Sequence, residues 1–167
     1  MKRIIAIILL FMFAGGMYYF SSQDGETSSK QSNKVVQIIE EIRDKVTLKD
    51  EKIISIKEKV FNKLKQYGNK SYIVRKLAHF SIYACIGVAM SYVIYLFSKK
   101  VLFSSFLAFM LTGMYAYYDE FRQLSVAGRS GNLKDVFIDS SGAFVGICVF
   151  ILIAGGIKSI KTLFVKS

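Results

Sequence analysis

DEFRQLSVAGRSGNLKDVFIDSSGAFVG, residues 119–146, decides how the rest of the chain is read. It begins where one long apolar run ends and finishes inside the next. Asp119, Glu120, Arg122, Gln123, Arg129, Lys134, Asp135 and Asp139 crowd around a Gly- and Ser-rich turn. Such a cluster is out of place between hydrophobic helices unless it is being used.

Outward from this stretch, the apolar residues fall in four blocks: Ile4–Phe20, Phe80–Phe97, Val101–Tyr118 and Val136–Ile157. Within them Asp139 alone carries a formal charge. A bilayer core takes about 20 residues of helix. Helices buried in a soluble protein are shorter and keep a polar face. The 167-residue chain is 53% apolar, with a mean hydropathy of +0.38. The expected fold is all-α, a single membrane domain over 1–167. It is an integral membrane bundle of four transmembrane helices, over about 4–20, 77–97, 101–118 and 136–157. An extracellular amphipathic helical segment, about 33–67, lies between the first and the second.

In that segment Val35, Ile38, Ile39, Ile42 and Val46 recur at helical spacing, as do Ile53, Ile56, Val60, Leu64 and Tyr67. Thr47 and Asp50 between them have the form of a capping box. The pattern predicts two helices, 33–45 and 48–66. Their lysines suit an anionic membrane surface, and packing on the bundle or on each other suits them equally. Ser21–Ser29 reads as a polar linker. Lys2 and Arg3 open the first block, and Tyr18, Tyr19 and Phe20 close it. Those aromatics suit a membrane-interface belt rather than a small-residue cleavage site, so the first helix is read as retained.

The net charge of +11 raises a nucleic-acid partner. The charge is instead split among membrane flanks and one amphipathic segment rich in acids, with no recognition motif. The expected partner is the lipid bilayer, with no nucleic acid. Cys85 and Cys148 sit in apolar surroundings without metal or disulfide spacing and read as small apolar fillers. No metal and no cofactor are assigned.

Orientation follows from the basic residues. Lys2, Arg3, Lys99, Lys100, Lys158, Lys161 and Lys166 share one side, with no acids. Basic residues in short loops stay cytoplasmic. The chain is expected as a multi-pass protein of the cell membrane with both termini cytoplasmic. Ser21–Gln23, Arg75–His79 and Asp119–Asp139 then share the outer face.

Helical spacing puts Arg75 and His79 on one face, with Tyr83 and Gly87 continuing it. On the third transmembrane helix Gly113, Tyr117 and Glu120 are expected on one face, and Asp119 stands four before Gln123. On the fourth, Asp135, Asp139, Gly142 and Gly146 line up. Gly142 and Gly146 form a small-xxx-small pattern for helix packing. The candidate functional site is Arg75, His79, Asp119, Glu120, Gln123, Arg129, Asp135 and Asp139. An acid as deep as Asp139 needs a partner. Arg75 or Arg129 is expected, since a guanidinium holds a carboxylate with two parallel bonds; Arg122 is the third candidate. Gly131-Asn132 is a turn signal.

Taken together, Arg75-Lys-Leu-Ala-His79-Phe, Asp119-Glu-Phe-Arg-Gln123, Gly128-Arg129-Ser-Gly, Asp135-Val-Phe-Ile-Asp139 and Gly142-Ala-Phe-Val-Gly146 resemble the signature of VanZ-like membrane proteins. Phe20-Ser-Ser-Gln23 is similar to that family too. The likeness spans nearly the whole chain except 33–70. Ser125-Val126-Ala127-Gly128 departs from it, where family members often carry an aromatic or aliphatic run and a Pro. The resemblance implies an integral membrane protein of a Gram-positive type of envelope, whose namesake is linked to teicoplanin resistance.

Three functions compete. One is a non-enzymatic envelope protein whose outward polar site binds a lipid-linked wall precursor or lipoglycopeptide, with arginines on anionic head groups and the helix stripe seating an acyl chain. The second is a membrane-embedded enzyme acting on a lipid head group or wall precursor. There His79 is the acid or base, Asp119 or Glu120 orients it, and Arg129 stabilises negative charge. A transporter or cation-binding protein ranks last.

Overall fold

A computed structural model describes residues 1–45 and 69–165, with backbone alone at 43–45 and 157–165. Helix α1 spans Lys2–Ser21, α2 Gly25–Lys45, α3 Lys70–Ser98, α4 Val101–Gln123 and α5 Leu133–Val165. The described residues contain no strand. Among them α1, α3, α4 and the Leu133–Gly156 part of α5 are long and apolar enough to cross a membrane. Three helices run past the expected spans. Helix α3 starts at Lys70 instead of 77, α4 continues through the acids to Gln123, and α5 takes in Asp135.

The four long helices alternate in direction. Arg3 of α1 lies over the Phe97 ring of α3 at 5.0 Å, while Ser21 at the other end of α1 bonds Asp119 near the end of α4. One end of the bundle therefore holds Lys2, Arg3 and the Lys99-Lys100 turn. The other holds Ser21, the start of α3, the end of α4 and the start of α5. At the Lys99 turn the backbone is left-handed (φ 58) and its N–H donates to Tyr95 O, a common way to close a helix.

The packing is inside-out relative to a soluble bundle. Ala108, Ala116, Ala143, Ser104 and Thr112 are fully buried, whereas Leu102, Leu152 and Phe137 are 74–78% exposed. Lipid supplies no hydrophobic drive between helices, so association rests on close approach of small residues. Helices α3 and α5 run parallel and meet this way. A Cβ on Gly142 would stand 2.3 Å from Phe80 O, and one on Gly146 only 1.9 Å from Ala84 O. Gly87 meets Ala143 O in return. The Tyr83–Gly87 stripe is thus covered within the bundle, Gly87 by Ala143 of α5 and Tyr83 in a core with Met17, Ala116 and Ala143, and does not seat an acyl chain. An apolar groove of about 440 Å³ lies instead between α1 and α3, lined by Ile5, Leu9, Phe13, Cys85, Val88 and Tyr92. Cys85 is exposed there, so it is no core filler.

Residues 21–29 are not a linker. Ser21 ends α1, and α2 begins at Gly25 rather than 33. Asp24 caps it: Oδ1 accepts from the Thr27 N–H at 2.6 Å and Oδ2 from the Thr27 hydroxyl at 3.0 Å. Those bonds hold the Asp24 carboxyl below its ordinary range. Helix α2 packs on the start of α3 through buried Ser28 and Ser32. Lys70 pairs with Glu40, and Ser71 donates to Ser29 O. Its apolar row Val35, Ile38, Ile39 and Ile42 is 43–56% exposed, so the serine face makes the contact. The expected helix over 48–66 and its Thr47–Asp50 cap lie outside the described residues.

Candidate functional site

The polar end gathers residues from α1, α3, α4, α5 and the 124–132 loop. It starts with Asp119 and Glu120, which are buried at 1% and 3% exposure rather than forming a solvated helix end. Asp119 Oδ2 accepts from the Ser21 hydroxyl at 2.6 Å and from Gln123 Nε2 at 3.1 Å. Its Oδ1 accepts from Arg122 Nη2 at 2.9 Å. Gln123 Nε2 also reaches Ser21 Oγ and Glu120 Oε1. The row that carries these groups inward is Thr112, Ala116, Asp119, Glu120 and Gln123, all buried. Gly113 and Tyr117 are not on it: Tyr117 is exposed, and a Cβ on Gly113 would meet nothing within 4 Å.

Two arginines tie the end of α1 to α4 and the loop. The last carbonyls of a helix lack partners within it. Arg129 Nη2 donates to Phe20 O and its Nε to Gln23 O, each at 3.1 Å. Arg122 donates to Tyr18 O and to Ser22 Oγ, with its guanidinium 4.2 Å from the Tyr18 ring centre. The loop also touches α2 directly. Gly25 N–H donates to Ala127 O at 3.0 Å, and a Cβ on Gly25 would stand 2.1 Å from Gly128 O. Gly128 itself has φ +69, a conformation that suits glycine.

Gly131-Asn132 is more than a turn. Asn132 N–H donates to Glu120 Oε2 at 3.0 Å, and Asn132 Oδ1 caps α5 by accepting from Lys134 N–H. A Cβ on Gly131 would press on Glu120 O at 2.4 Å.

Helices α3 and α5 face each other in two steps. Near the end Lys76 pairs with Asp135 at 2.5 Å. One turn deeper His79 Nδ1 lies 3.5 Å from Asp139 Oδ2. That is too long for a well-formed hydrogen bond, and neither atom has another hydrogen-bond partner. The partner expected for Asp139 is therefore corrected. It faces His79, while Arg129 holds α1 and Arg122 holds Asp119. Arg75 makes no hydrogen bond or ion pair among the described residues; its guanidinium lies 5.7 Å from the Tyr72 ring centre and its charge acts on Arg129. The Asp119-or-Glu120 partner expected for His79 is corrected likewise: Asp139 is the acid paired with it. Asp119 is near, since one ligand atom each of His79, Asp119 and Asp139 lies within 4.8 Å of the others. Among the described residues, those three form a group that could hold a metal ion.

All eight candidate residues thus lie at the polar end, seven of them in two groups, Ser21-Asp119-Gln123-Glu120-Arg129 and Lys76-Asp135 above His79-Asp139, with Arg75 beside them near Tyr72. Lys76 was missed from the sequence, and Tyr83, placed on the His79 face by spacing alone, is fully buried with its hydroxyl unpartnered. The spacings were a usable signal. Lys76 and His79 are three apart on α3, and Asp135 and Asp139 four apart on α5, so two parallel helices in register pair both.

Comparison with known families adds one finding. The model of the VanZ/LLP1 family matches residues 4–154, and the chain belongs to that family. Comparison with curated proteins and with solved structures gave no match.

Proposed function

We propose that this VanZ/LLP1 family member sits in the cell membrane with both termini cytoplasmic, and that its polar end faces outward and binds an anionic head group. By that binding it lowers access of lipoglycopeptides such as teicoplanin to their lipid-linked target, without catalysis. One observation carries the reading. Arg75 and Arg129 stand near each other, and neither has a carboxylate within ion-pair distance among the described residues. Burial first, and then the charge of Arg75, push the Arg129 guanidinium below its ordinary range. Asp119 and Glu120 oppose that push without pairing with either arginine; two cations close together and outside any direct ion pair favour an anion, and guanidinium forks match phosphate and carboxylate oxygens. The acids of the site have partners of their own: Asp135 pairs with Lys76, Asp119 with Arg122, Glu120 accepts from Asn132 N–H and Gln123, and Asp139 faces His79.

Expression of the full chain in a teicoplanin-sensitive Gram-positive host tests this. The expected result is a several-fold rise in the inhibitory concentration of teicoplanin, larger than for a glycopeptide without an acyl tail. Unchanged susceptibility at verified membrane abundance overturns the resistance role. The buried His79–Asp139 contact favours a second reading, an enzyme acting on a lipid head group or wall precursor with His79 as acid or base. Identical lipid and precursor profiles from wild type and His79→Ala cells would count against it.

A further inference from the structure

The trio His79, Asp119 and Asp139 points to a chemistry that neither reading uses. We infer that it is a binding site for a divalent transition-metal cation of the zinc or manganese class. This goes beyond the head-group proposal and does not rest on it, since neither Arg75 nor Arg129 is a ligand.

Helices α3, α4 and α5 contribute one residue each, and all three are at most 6% exposed. Their ligand atoms lie within 4.8 Å of one another. The centre of an equilateral triangle of that side is about 2.8 Å from each corner, against roughly 2.0–2.2 Å for zinc bonds to nitrogen and oxygen. Small side-chain rotations close that gap. Two of the residues break no hydrogen bond in making them, because His79 Nδ1 and Asp139 Oδ2 are buried and free of hydrogen bonds. A buried polar atom left without a partner is costly. Here two such atoms face one another at 3.5 Å, and a cation between them satisfies both.

Asp119 is the oriented ligand. Its carboxylate offers roughly four lone-pair positions. Ser21 and Gln123 occupy Oδ2, and Arg122 occupies one position on Oδ1. One remains. Such outer hydrogen bonds are what fixes a ligating carboxylate in metal sites. Imidazole nitrogen beside carboxylate oxygen suits zinc, iron or manganese better than calcium or magnesium, which take all-oxygen sets. Three protein ligands leave a four-coordinate ion one position for water or for an anionic oxygen of a bound molecule.

The test uses the full chain in detergent, without a histidine tag, stripped by chelator and then equilibrated with Zn²⁺ or Co²⁺. The expected result is about one ion per chain and a Co²⁺ visible spectrum typical of low coordination by nitrogen and oxygen. His79→Gln and Asp139→Asn should each weaken binding by at least about 100-fold, beyond the range of outer-shell losses. Glu26→Gln, on the exposed face of α2 and outside the polar network, should bind as wild type does. If the ligand variants fail to fold, wild-type stoichiometry and the Co²⁺ spectrum decide alone. Folded wild type that retains less than about a tenth of an ion per chain overturns the site. So does a folded Asp139→Asn variant with wild-type affinity.

Discussion

Asp119 accepts hydrogen bonds from a serine on α1, and from a glutamine and an arginine one turn on along its own helix. It is therefore a joint between two helices at the polar end. Asp119→Ala leaves the Arg122 charge facing Asp119's empty place and should cost about 3–5 kcal/mol. Asp119→Asn keeps the shape and the Ser21 contact and should cost about 1–2 kcal/mol. Thermal unfolding of the purified variants in detergent reads both, and an Asp119→Ala protein as stable as wild type would contradict this role. The importance of Asp119 was legible in the sequence, as an acid at the end of an apolar run. The partner of Asp139 was not. Helical spacing gives the face a residue shares but not the neighbour opposite it. That depended on the parallel register of α3 on α5, which sets Lys76 against Asp135 and His79 one turn deeper. Arg75 then falls outside the contact. Glu120 shows the same limit: Ala116 and Tyr117 flank it by similar angles, and the small residue went inward while the amphipathic ring stayed outside.

At the scale of elements, glycine decides how closely helices meet. Gly146 of α5 lies against the backbone of Ala84, while Gly113 of α4 faces open space. Gly146→Ala should force α3 and α5 apart and cost about 1–3 kcal/mol. Gly113→Ala should stabilise α4 by up to roughly 1 kcal/mol, as alanine is the better helix former. Thermal unfolding of the pair, side by side, checks the sign of each; equal effects would mean the α3–α5 contact is not tight. The small-xxx-small pattern was readable in advance. The start of α2 was not, because Gly, Thr and Ser are weak helix formers whose side chains favour turns. Three things outweigh that propensity at 25–32: the Asp24 cap, the Glu26–Lys30 pair at 2.6 Å and the packing of Ser28 and Ser32 on α3.

For the whole molecule, four alternating helices place the Lys2, Arg3 and Lys99-Lys100 cations at one end and the buried acid network at the other. The positive-inside tendency then predicts the 124–131 loop outside. With Cys85 and Cys148 replaced by alanine, a cysteine at exposed Ser130 should react with a membrane-impermeant maleimide on intact cells. One appended after Ser167 should react only after lysis, and the reverse pattern would invert the topology. The four-span architecture was legible because apolar blocks of bilayer length have few other uses. The pairing of groups at the polar end needed three helices in register, which no single segment encodes. Whether that end works or merely holds the bundle together is the central question, and Arg75 separates the two. Among the described residues it makes no hydrogen bond or ion pair and lies by the Tyr72 ring, so Arg75→Gln should leave folding and membrane abundance intact. The decisive measurement is teicoplanin susceptibility of cells carrying Arg75→Gln at wild-type abundance. Most of the protection given by the wild-type chain should be lost; protection equal to wild type would contradict a binding role for the polar end.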